Sequence, residues 1–206
     1  MNNLDYKQKP ILAELKSNNE HYSKALSKEK LEDLKKHHPK ATIVCCSDSR
    51  FPPELIFAVE EGELFVVRIA GNFVEKTPEI LDAQKVSISY AVNHLHSPEV
   101  IVMGHYGCGA INLTFDEINN YDSSNPLFRN IAPAINKAIN EVNKSSSELA
   151  SKSPTELKHI ICAHATKLNV INTILSIRES NIIPESTQII GAICDENRVV
   201  DFFYNN

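Results

Sequence analysis

The sequence predicts an α/β domain with a central, largely parallel β-sheet flanked by helices. Three observations support this fold class. Short apolar runs of four to six residues recur along the chain, segments with apolar residues at helical spacing separate them, and turns that contain glycine or proline lie between the two. Strands that alternate with helices in this way usually form a parallel sheet, because the helices carry the chain back across its faces.

The predicted strands are continuous apolar runs, as is typical of strands that are covered on both faces. The last two are expected to form a hairpin around residues 195–198. The strands cover residues 41–46, 64–68, 100–103, 188–194 and 199–203.

The predicted helices keep apolar residues three or four positions apart, and proline opens two of them. Residues 119–155 are polar and irregular except for one helical patch, and residues 160–163 fit either a strand or the start of a helix. The helices cover part of the charged region 1–40 and residues 54–60, 77–96, 131–142 and 169–177, and a further helix starts near 107–109.

The length of 206 residues is most simply one domain, 1–206, with 1–40 as an N-terminal helical arm and about 119–155 as an irregular or helical insertion. The 21 basic and 26 acidic residues give a net charge of −5, so no nucleic-acid partner is expected. The N-terminus holds no signal-peptide core, and no run approaches the roughly 18 apolar residues of a membrane span. Five cysteines, an odd number, argue against a disulfide framework. We therefore expect a cytoplasmic protein without a membrane partner.

Two short motifs follow predicted strands and carry the residues of a metal centre. Cys46 closes the strand at 41–46, and the segment from His105 to Cys108 comes just after the strand at 100–103. Parallel α/β sheets bind ligands beyond the carboxyl ends of their strands, so the two motifs are expected to meet there. Two thiolates and one imidazole leave the fourth position of a tetrahedral zinc ion open, as in catalytic sites. The sequence therefore predicts one Zn²⁺ per chain, held by Cys46, His105 and Cys108.

Asp48 and Arg50 form an acid–base pair beside the first thiol. In an extended segment the side chains of residues 46, 48 and 50 share a face, so Arg50 can hold the carboxylate in a bidentate pair that keeps it ionised. Asp48 would then either accept the proton of a metal-bound water or occupy the open metal position as a fourth ligand. Cys108 stands at the predicted start of a helix, where peptide dipoles should lower the pKa of its thiol.

These motifs and their neighbouring segments closely resemble those of the β-class carbonic anhydrases. The resemblance runs through about residues 39–112 and continues more weakly near Asn169 and in the last hairpin. It implies the fold of that class and the reversible hydration of CO₂ to bicarbonate and a proton by attack of zinc-bound hydroxide. The segments that carry it are residues 46–50 (CSDSR), 65–68 (FVVR), 70–72 (AGN) and 104–109 (GHYGCG).

The resemblance also implies a role for each site residue. By this resemblance zinc is held by Cys46, His105 and Cys108, and the catalytic acid–base dyad is formed by Asp48 and Arg50. The backbone N–H of Gly109 orients CO₂ or bicarbonate. Two aromatic rings, those of Phe65 and Tyr90, line an apolar pocket where two subunits meet. A homodimer or a dimer of dimers is therefore expected.

Several positions differ from the pattern of the class. His37 replaces a glutamine often found near the substrate, and Ile69 stands where asparagine is usual. Ile43 and Cys194 replace the tryptophan and tyrosine of the subgroup that bicarbonate inhibits at a non-catalytic pocket. We therefore expect the catalytic carboxylate to rest on its arginine partner rather than on the metal.

The other cysteines and one arginine have simpler interpretations. Cys45, Cys162 and Cys194 are expected to be core residues, since free cysteine is among the most buried residue types. Arg68 fits equally well a plain ion-pair partner and a residue that supports the site.

Other functions fit the same site residues. An enzyme of this architecture could hydrolyse COS or CS₂ with the same zinc centre. The sequence does not determine the width of the substrate entrance, so it does not distinguish these substrates from CO₂. A non-catalytic zinc-binding or redox-sensing module would use Cys46 and Cys108 as thiols that release the metal, although it has no need of a water-orienting dyad. A metal-independent cysteine hydrolase would use one of these thiols as nucleophile and His105 as base.

Overall fold

The computed structural model describes residues 11–144 and 151–205, and the chain divides after His37 into two compact units. The first unit contains two helices, and neither of them buries a residue. Residues 1–10 of the predicted arm lie outside the described residues. The helices are α1 (Ile11–Ala25) and α2 (Lys28–Asp33).

Strands and helices alternate along the second unit. Its strands are β1 (Ala41–Cys45), β2 (Leu64–Arg68), β3 (Glu99–His105), β4 (Gln188–Cys194) and β5 (Val200–Asn205). Its helices are α3 (Pro53–Ile56), α4 (Ala83–Asn93), α5 (Gly109–Asp116), α6 (Pro126–Lys144) and α7 (Pro154–Glu179). The strands form one sheet of order β2-β1-β3-β4-β5, in which the first four are parallel and β5 forms an antiparallel hairpin with β4. This arrangement confirms the predicted α/β fold with a largely parallel central sheet.

The sheet is buried because its central strands are apolar along their length. Every residue of β1 is buried, and the valine and isoleucine that dominate these strands pack well on a pleated surface. On one face Val44 and Val102 lie in a cluster with Ile174 of α7, and on the other face Ile43 lies in a cluster with Phe51. A third cluster joins α5, α6 and α7. Together these clusters fix the strand ends that carry the site.

Helix α7 has 26 residues and shows that residues 160–163 are helical rather than a strand. Ser153 begins the helix with a capping box, in which its hydroxyl accepts from Glu156 N and the Glu156 carboxylate accepts from Ser153 N. The helix lies so close to β3 that a Cβ added at Gly104 would be 2.9 Å from Val170 Cγ2. The run at 160–163 fits both elements because short buried stretches of helix and strand are equally apolar.

The composition of α7 satisfies the requirements of a membrane span, but its packing is that of a core helix. Its most apolar window has a mean hydropathy of 1.3, and 61% of that window is buried inside the protein. The expectation that no run is long and apolar enough to span a membrane is therefore wrong for α7, judged by length and composition alone. Burial against the sheet accounts for these apolar residues, because a helix that covers a sheet needs the same character.

A fully buried lysine explains why α4 begins at Ala83 rather than near Thr77. Lys85 has no exposed surface, and its ammonium group donates to Thr77 O at 2.6 Å and to Ile80 O at 2.8 Å. A charge at this depth requires such acceptors, so the preceding residues wrap around it as a loop. Asp82 then begins the helix by accepting from Lys85 N at 2.8 Å.

Other helix boundaries also differ from the prediction. Helix α3 ends at Ile56 instead of residue 60, and the chain then turns at Ala58, which has a left-handed φ of +49°. Helix α6 has 19 residues and is longer than the predicted patch at 131–142. Residues 145–150 of the predicted loop lie outside the described residues.

Candidate active site

Cys46, His105 and Cys108 lie together at the carboxyl edge of the sheet. Strand β1 ends at Cys45 and pairs in parallel with β3, which ends at His105, so Cys46 and His105 reach the same edge. Cys108 reaches it because Gly107, with a φ of +68°, turns the chain toward α5. The sulfur atoms of Cys46 and Cys108 are 3.8 Å apart, and the ligand atoms of all three residues lie within 4.8 Å of one another.

The His105 ring presents a nitrogen lone pair to this cluster. Nδ1 lies 3.0 Å from Tyr106 O, and because a carbonyl only accepts, Nδ1 carries the proton. Nε2 is buried and has no hydrogen-bond partner among the described residues. Phe51 stacks on the ring with centroids 4.0 Å apart and so restrains its plane. A buried nitrogen without a partner, opposite a nitrogen held by a carbonyl, fits a metal ligand.

The two thiols shift each other's pKa in opposite directions, because their sulfur atoms lie within hydrogen-bond distance of each other. The pKa of Cys46 is held well below its usual value, chiefly because Cys108 hydrogen-bonds to its sulfur, although burial opposes the effect. The pKa of Cys108 is raised, because the same hydrogen bond and burial both favour its protonated form. The N–H groups of Ala110 and Ile111 at the start of α5 favour the Cys108 thiolate, as the sequence predicts, but the hydrogen bond with Cys46 and burial outweigh them. A divalent cation would displace the thiol proton between the two sulfur atoms, which fits a metal site with two thiolates.

Asp48 and Arg50 form the bidentate pair that the sequence predicts. Arg50 Nε donates to Asp48 Oδ1 at 3.0 Å and Nη2 donates to Oδ2 at 2.6 Å, while the backbone N–H of Arg50 adds a bond to Oδ1 at 3.0 Å. Hydrogen bonds from Arg50 therefore hold the pKa of Asp48 far below its usual range. Asp48 Oδ2 also lies 3.9 Å from His105 Nε2. The ionised carboxylate thus borders the three candidate ligands.

Arg68 holds the loop that carries Cys46 and Asp48. Its Nε donates to Cys46 O at 3.0 Å and its Nη2 donates to Asp48 O at 2.6 Å, and the same nitrogen is 3.5 Å from Phe51 O. The side chain comes from the last residue of β2, which is the neighbour of β1 in the sheet. Of the two roles that the sequence allows for Arg68, the structure shows support of the site, through backbone carbonyls.

The residues predicted to contact substrate occupy two different places. Gly109 is the first residue of α5, where its N–H has no partner within the helix, and its Cβ position faces open space in the described structure. Phe65 and Tyr90 contact each other with ring centroids 6.2 Å apart. Phe65 pairs in register with Thr42, four residues before Cys46, so it lies about 13 Å from that ligand along the strand. Within one chain the structure does not bring the ring pair to the three candidate ligands.

The remaining cysteines are buried free thiols, as predicted. Burial raises the pKa of Cys45 to about 12 and that of Cys162 to about 11, and it also raises the pKa of Cys194. These thiols therefore stay protonated, and none belongs to the group of three ligands that could hold a metal in the described part of the chain.

Two neighbours of the site carry no signal in the sequence. Phe51, which stacks on His105, also packs against Arg198, whose guanidinium carbon lies 4.3 Å from the centre of the ring. Arg198 comes from the turn between β4 and β5, so only the folded sheet brings it here. Both residues line, with Arg50, a cavity of about 700 Å³ beside the dyad.

The fold and the site define an α/β protein with a candidate metal centre at the carboxyl edge of its sheet. The family model described as carbonic anhydrase matches residues 41–195, which is more than half of the chain. This chain therefore belongs to the carbonic anhydrase family, as its motifs predict, and its fold is that of solved β-carbonic anhydrases.

Individual relatives match either a part of the sequence or the whole fold. A carbonic anhydrase of Synechocystis sp. is 40% identical over 74 residues, which cover 36% of this chain and 27% of that protein. This chain spans a third or less of the length of such curated relatives. The crystal structure of β-carbonic anhydrase CafA of Aspergillus fumigatus has a TM-score of 0.70 at 23% identity and covers 94% of this chain and 90% of its own. A tetrameric β-carbonic anhydrase from Sordaria macrospora has a TM-score of 0.66 at 21% identity, and the match covers 95% of this chain and 98% of that protein. At these identities the two structures show that the fold is shared.

Replacing Arg68 with lysine should loosen the loop that carries Cys46 and Asp48. One ammonium group cannot reach these carbonyls together as the planar guanidinium does. We expect the free energy of unfolding to fall by about 1–2 kcal/mol, measured by urea denaturation with a chelator present. Lys137→Arg, which keeps the charge of an exposed ion pair with Glu141, should change it by less than about 0.5 kcal/mol. Equal losses in the two variants would show that Arg68 does not hold the loop.

Proposed function

We propose that this chain catalyses the reversible hydration of CO₂ to bicarbonate and a proton, with one Zn²⁺ held by Cys46, His105 and Cys108. The observation that carries the proposal is the convergence of these ligand atoms, within 4.8 Å of one another, beside an ionised carboxylate. Membership of the carbonic anhydrase family supports the reaction.

Zinc fits this set of ligands better than the other common divalent ions. Two sulfur atoms and an imidazole nitrogen suit a borderline-soft cation, whereas Mg²⁺ and Ca²⁺ prefer oxygen. Two thiolates and a neutral imidazole also balance the charge of Zn²⁺, which reduces the cost of holding the ion among three buried residues. When bound, the metal would act as a Lewis acid that lowers the pKa of a water molecule at its open position toward neutrality.

Asp48 is the group that would accept the proton of this water. Its Oδ2 lies 3.9 Å from His105 Nε2, the nitrogen that we assign to the metal, so the carboxylate lies beside the place where the three residues would hold the ion. Arg50 keeps the carboxylate ionised and oriented through two parallel hydrogen bonds. The side chain of Arg50 is 63% exposed, so the pair extends from the buried ligands to solvent, where the proton can leave.

The start of α5 would orient CO₂ or bicarbonate. The N–H of Gly109 is one of the donors that a helix leaves without an internal partner, and such donors attract oxygen atoms that carry negative charge. Because no side chain occupies the space above this residue, a small molecule can approach the N–H directly.

The dyad favours hydration over a zinc-binding or redox-sensing module. Such a module needs only the thiols, whereas here the Asp48 carboxylate is held next to the ligands by three hydrogen bonds from Arg50. Hydrolysis of COS or CS₂ would use the same groups, and family membership favours CO₂. The relative turnover of CO₂ and CS₂ by the pure protein separates these two substrates.

Variants of the ligands and of the dyad should behave differently. Replacing Cys46, His105 or Cys108 with alanine should remove zinc and abolish hydration, because two protein ligands hold Zn²⁺ poorly. Asp48→Asn should keep zinc, since all three ligands remain, and should reduce the hydration rate about 10²-fold or more. Elemental analysis gives the zinc content, and stopped-flow measurement of CO₂ hydration gives the rate.

A carboxylate on the surface provides the control for these variants. Asp116, which forms an exposed ion pair with Lys158, should keep both zinc and activity when changed to asparagine. Full zinc content in all three ligand variants would refute the metal assignment, and an unchanged rate in Asp48→Asn would refute the role of the carboxylate.

We expect Asp48 to remain on Arg50 when zinc is bound. The hydrogen bonds from Arg50 compete with the metal for the same carboxylate oxygens, and the chain has Ile43 and Cys194 where the bicarbonate-inhibited subgroup is expected to carry tryptophan and tyrosine. A crystal structure of the zinc-loaded protein near pH 7.5 should show the bidentate pair intact. An Asp48 oxygen about 2.0–2.2 Å from zinc would show that the carboxylate is a fourth ligand instead.

The functional unit is, in this proposal, a homodimer or a dimer of dimers. Phe65 and Tyr90 lie away from the metal ligands of their own chain, and Tyr90 is 47% exposed, so a second copy would bring such a ring pair to the partner's site. The tetrameric state of the Sordaria macrospora protein supports this assembly. Light scattering at the assay concentration should find no active monomer, and an active monomer would contradict the proposal.

A further inference from the structure

We propose that Asn169 and Thr173 of α7 are positioning residues for the metal centre, which they control through the backbone turn at Gly71. The inference rests on the proposed metal centre and adds residues that touch neither the ligands nor the substrate. Both side chains are buried, with 1% and 2% of their surface exposed. They lie one helical turn apart on the face of α7 that meets this turn.

The turn acts on the metal centre through one hydrogen bond. The backbone N–H of Gly71 donates to the sulfur of Cys46 at 3.4 Å. A hydrogen bond of this kind fixes the direction of the sulfur and withdraws electron density from a thiolate, so it changes how strongly the sulfur donates to a metal. Any displacement of Gly71 N would therefore change both the geometry and the electron donation of Cys46.

The turn needs support because its backbone conformation is uncommon. Gly71 and Asn72 both have left-handed φ angles, of +78° and +46°, and for the non-glycine residue this conformation is strained. The one backbone bond within the turn runs from Asn72 N to Ile69 O at 2.9 Å. A Cβ at Gly71 would lie 2.5 Å from Ile131 Cδ1, so no side chain of its own can anchor it.

Helix α7 supplies the missing anchors. Asn169 Nδ2 donates to Gly71 O at 2.8 Å, and Thr173 Oγ1 donates to Asn72 O at 3.1 Å. Each bond holds one of the two consecutive carbonyls of the turn. The same helix packs Val170 against Gly104, the residue before His105. One rigid helix therefore sets the position of the turn relative to the strand that carries a second ligand.

Cobalt substitution tests this inference apart from catalysis, because the sulfur-to-cobalt charge-transfer bands report directly on thiolate donation. Asn169→Leu removes the donor to Gly71 O, and it should shift these bands and weaken metal retention against a chelator by about 10-fold to 100-fold. Thr173→Val should shift the bands less and in the same direction. Thr173→Ser keeps the hydroxyl and should restore the wild-type spectrum.

Ser176→Ala is the matched control. Ser176 is also buried on α7, but its hydroxyl donates only to Asn172 O within the helix. The Ser176→Ala variant should therefore be less stable than the wild-type protein but have the same cobalt spectrum. Spectra of folded Asn169→Leu and Thr173→Val that equal the wild-type spectrum would overturn the inference.

The wild-type protein offers a test that does not depend on the folding of any variant. With ¹¹³Cd in the site, the hydrogen bond from Gly71 N–H to the Cys46 sulfur should give a scalar coupling between the Gly71 amide proton and the metal. A folded, cadmium-loaded protein without this coupling would overturn the inference while leaving the metal centre intact. A wild-type protein that binds neither cobalt nor cadmium would instead overturn the proposed metal centre, and this inference with it.

Discussion

The parallel pairing of β1 with β3 is the constraint on which the site depends. Cys45 pairs with Met103, so Cys46 and His105 leave their strands at almost the same level. The pairing is stable because both strands are buried between apolar clusters, and a shift of one residue would exchange the side chains that pack in the two clusters. Cys108 depends on it too, because it lies three residues beyond His105 on the turn into α5. The three candidate ligands therefore meet as a consequence of the core.

Backbone groups hold the rest of the site. The loop that carries Cys46 and Asp48 has no regular structure after β1, and Arg68 ties its carbonyls to β2. On the other side of Cys46, Gly71 donates to the sulfur while Asn169 holds the Gly71 carbonyl. Elements far apart in the sequence thus converge on one loop. A site fixed in this way changes little when a metal arrives, which reduces the conformational entropy lost on binding.

The motifs predicted the candidate ligands and the dyad because these residues lie close together in the sequence. A cysteine at the end of a strand, followed by Asp48 and Arg50, can be recognised from the sequence alone. Arg68 and Asn169 work through carbonyls of distant residues, and no side-chain pattern records such contacts. The start of α4 was predicted wrongly for a similar reason, because Lys85 donates its hydrogen bonds to backbone carbonyls, which no side-chain pattern records. The net rise in the pKa of Cys108 depends on a sulfur that only the fold brings near. The local pattern therefore identifies the proposed reacting groups, and tertiary contacts determine their surroundings.

The central claim is that the three ligands form a zinc centre that hydrates CO₂. Zinc content per chain, measured together with stopped-flow CO₂ hydration by the purified wild-type protein before and after chelation, tests it most directly. The account predicts about one zinc per chain and hydration that disappears with the metal and returns when zinc is restored. A fully zinc-loaded protein that does not hydrate CO₂, or a rate that survives complete removal of the metal, would contradict it.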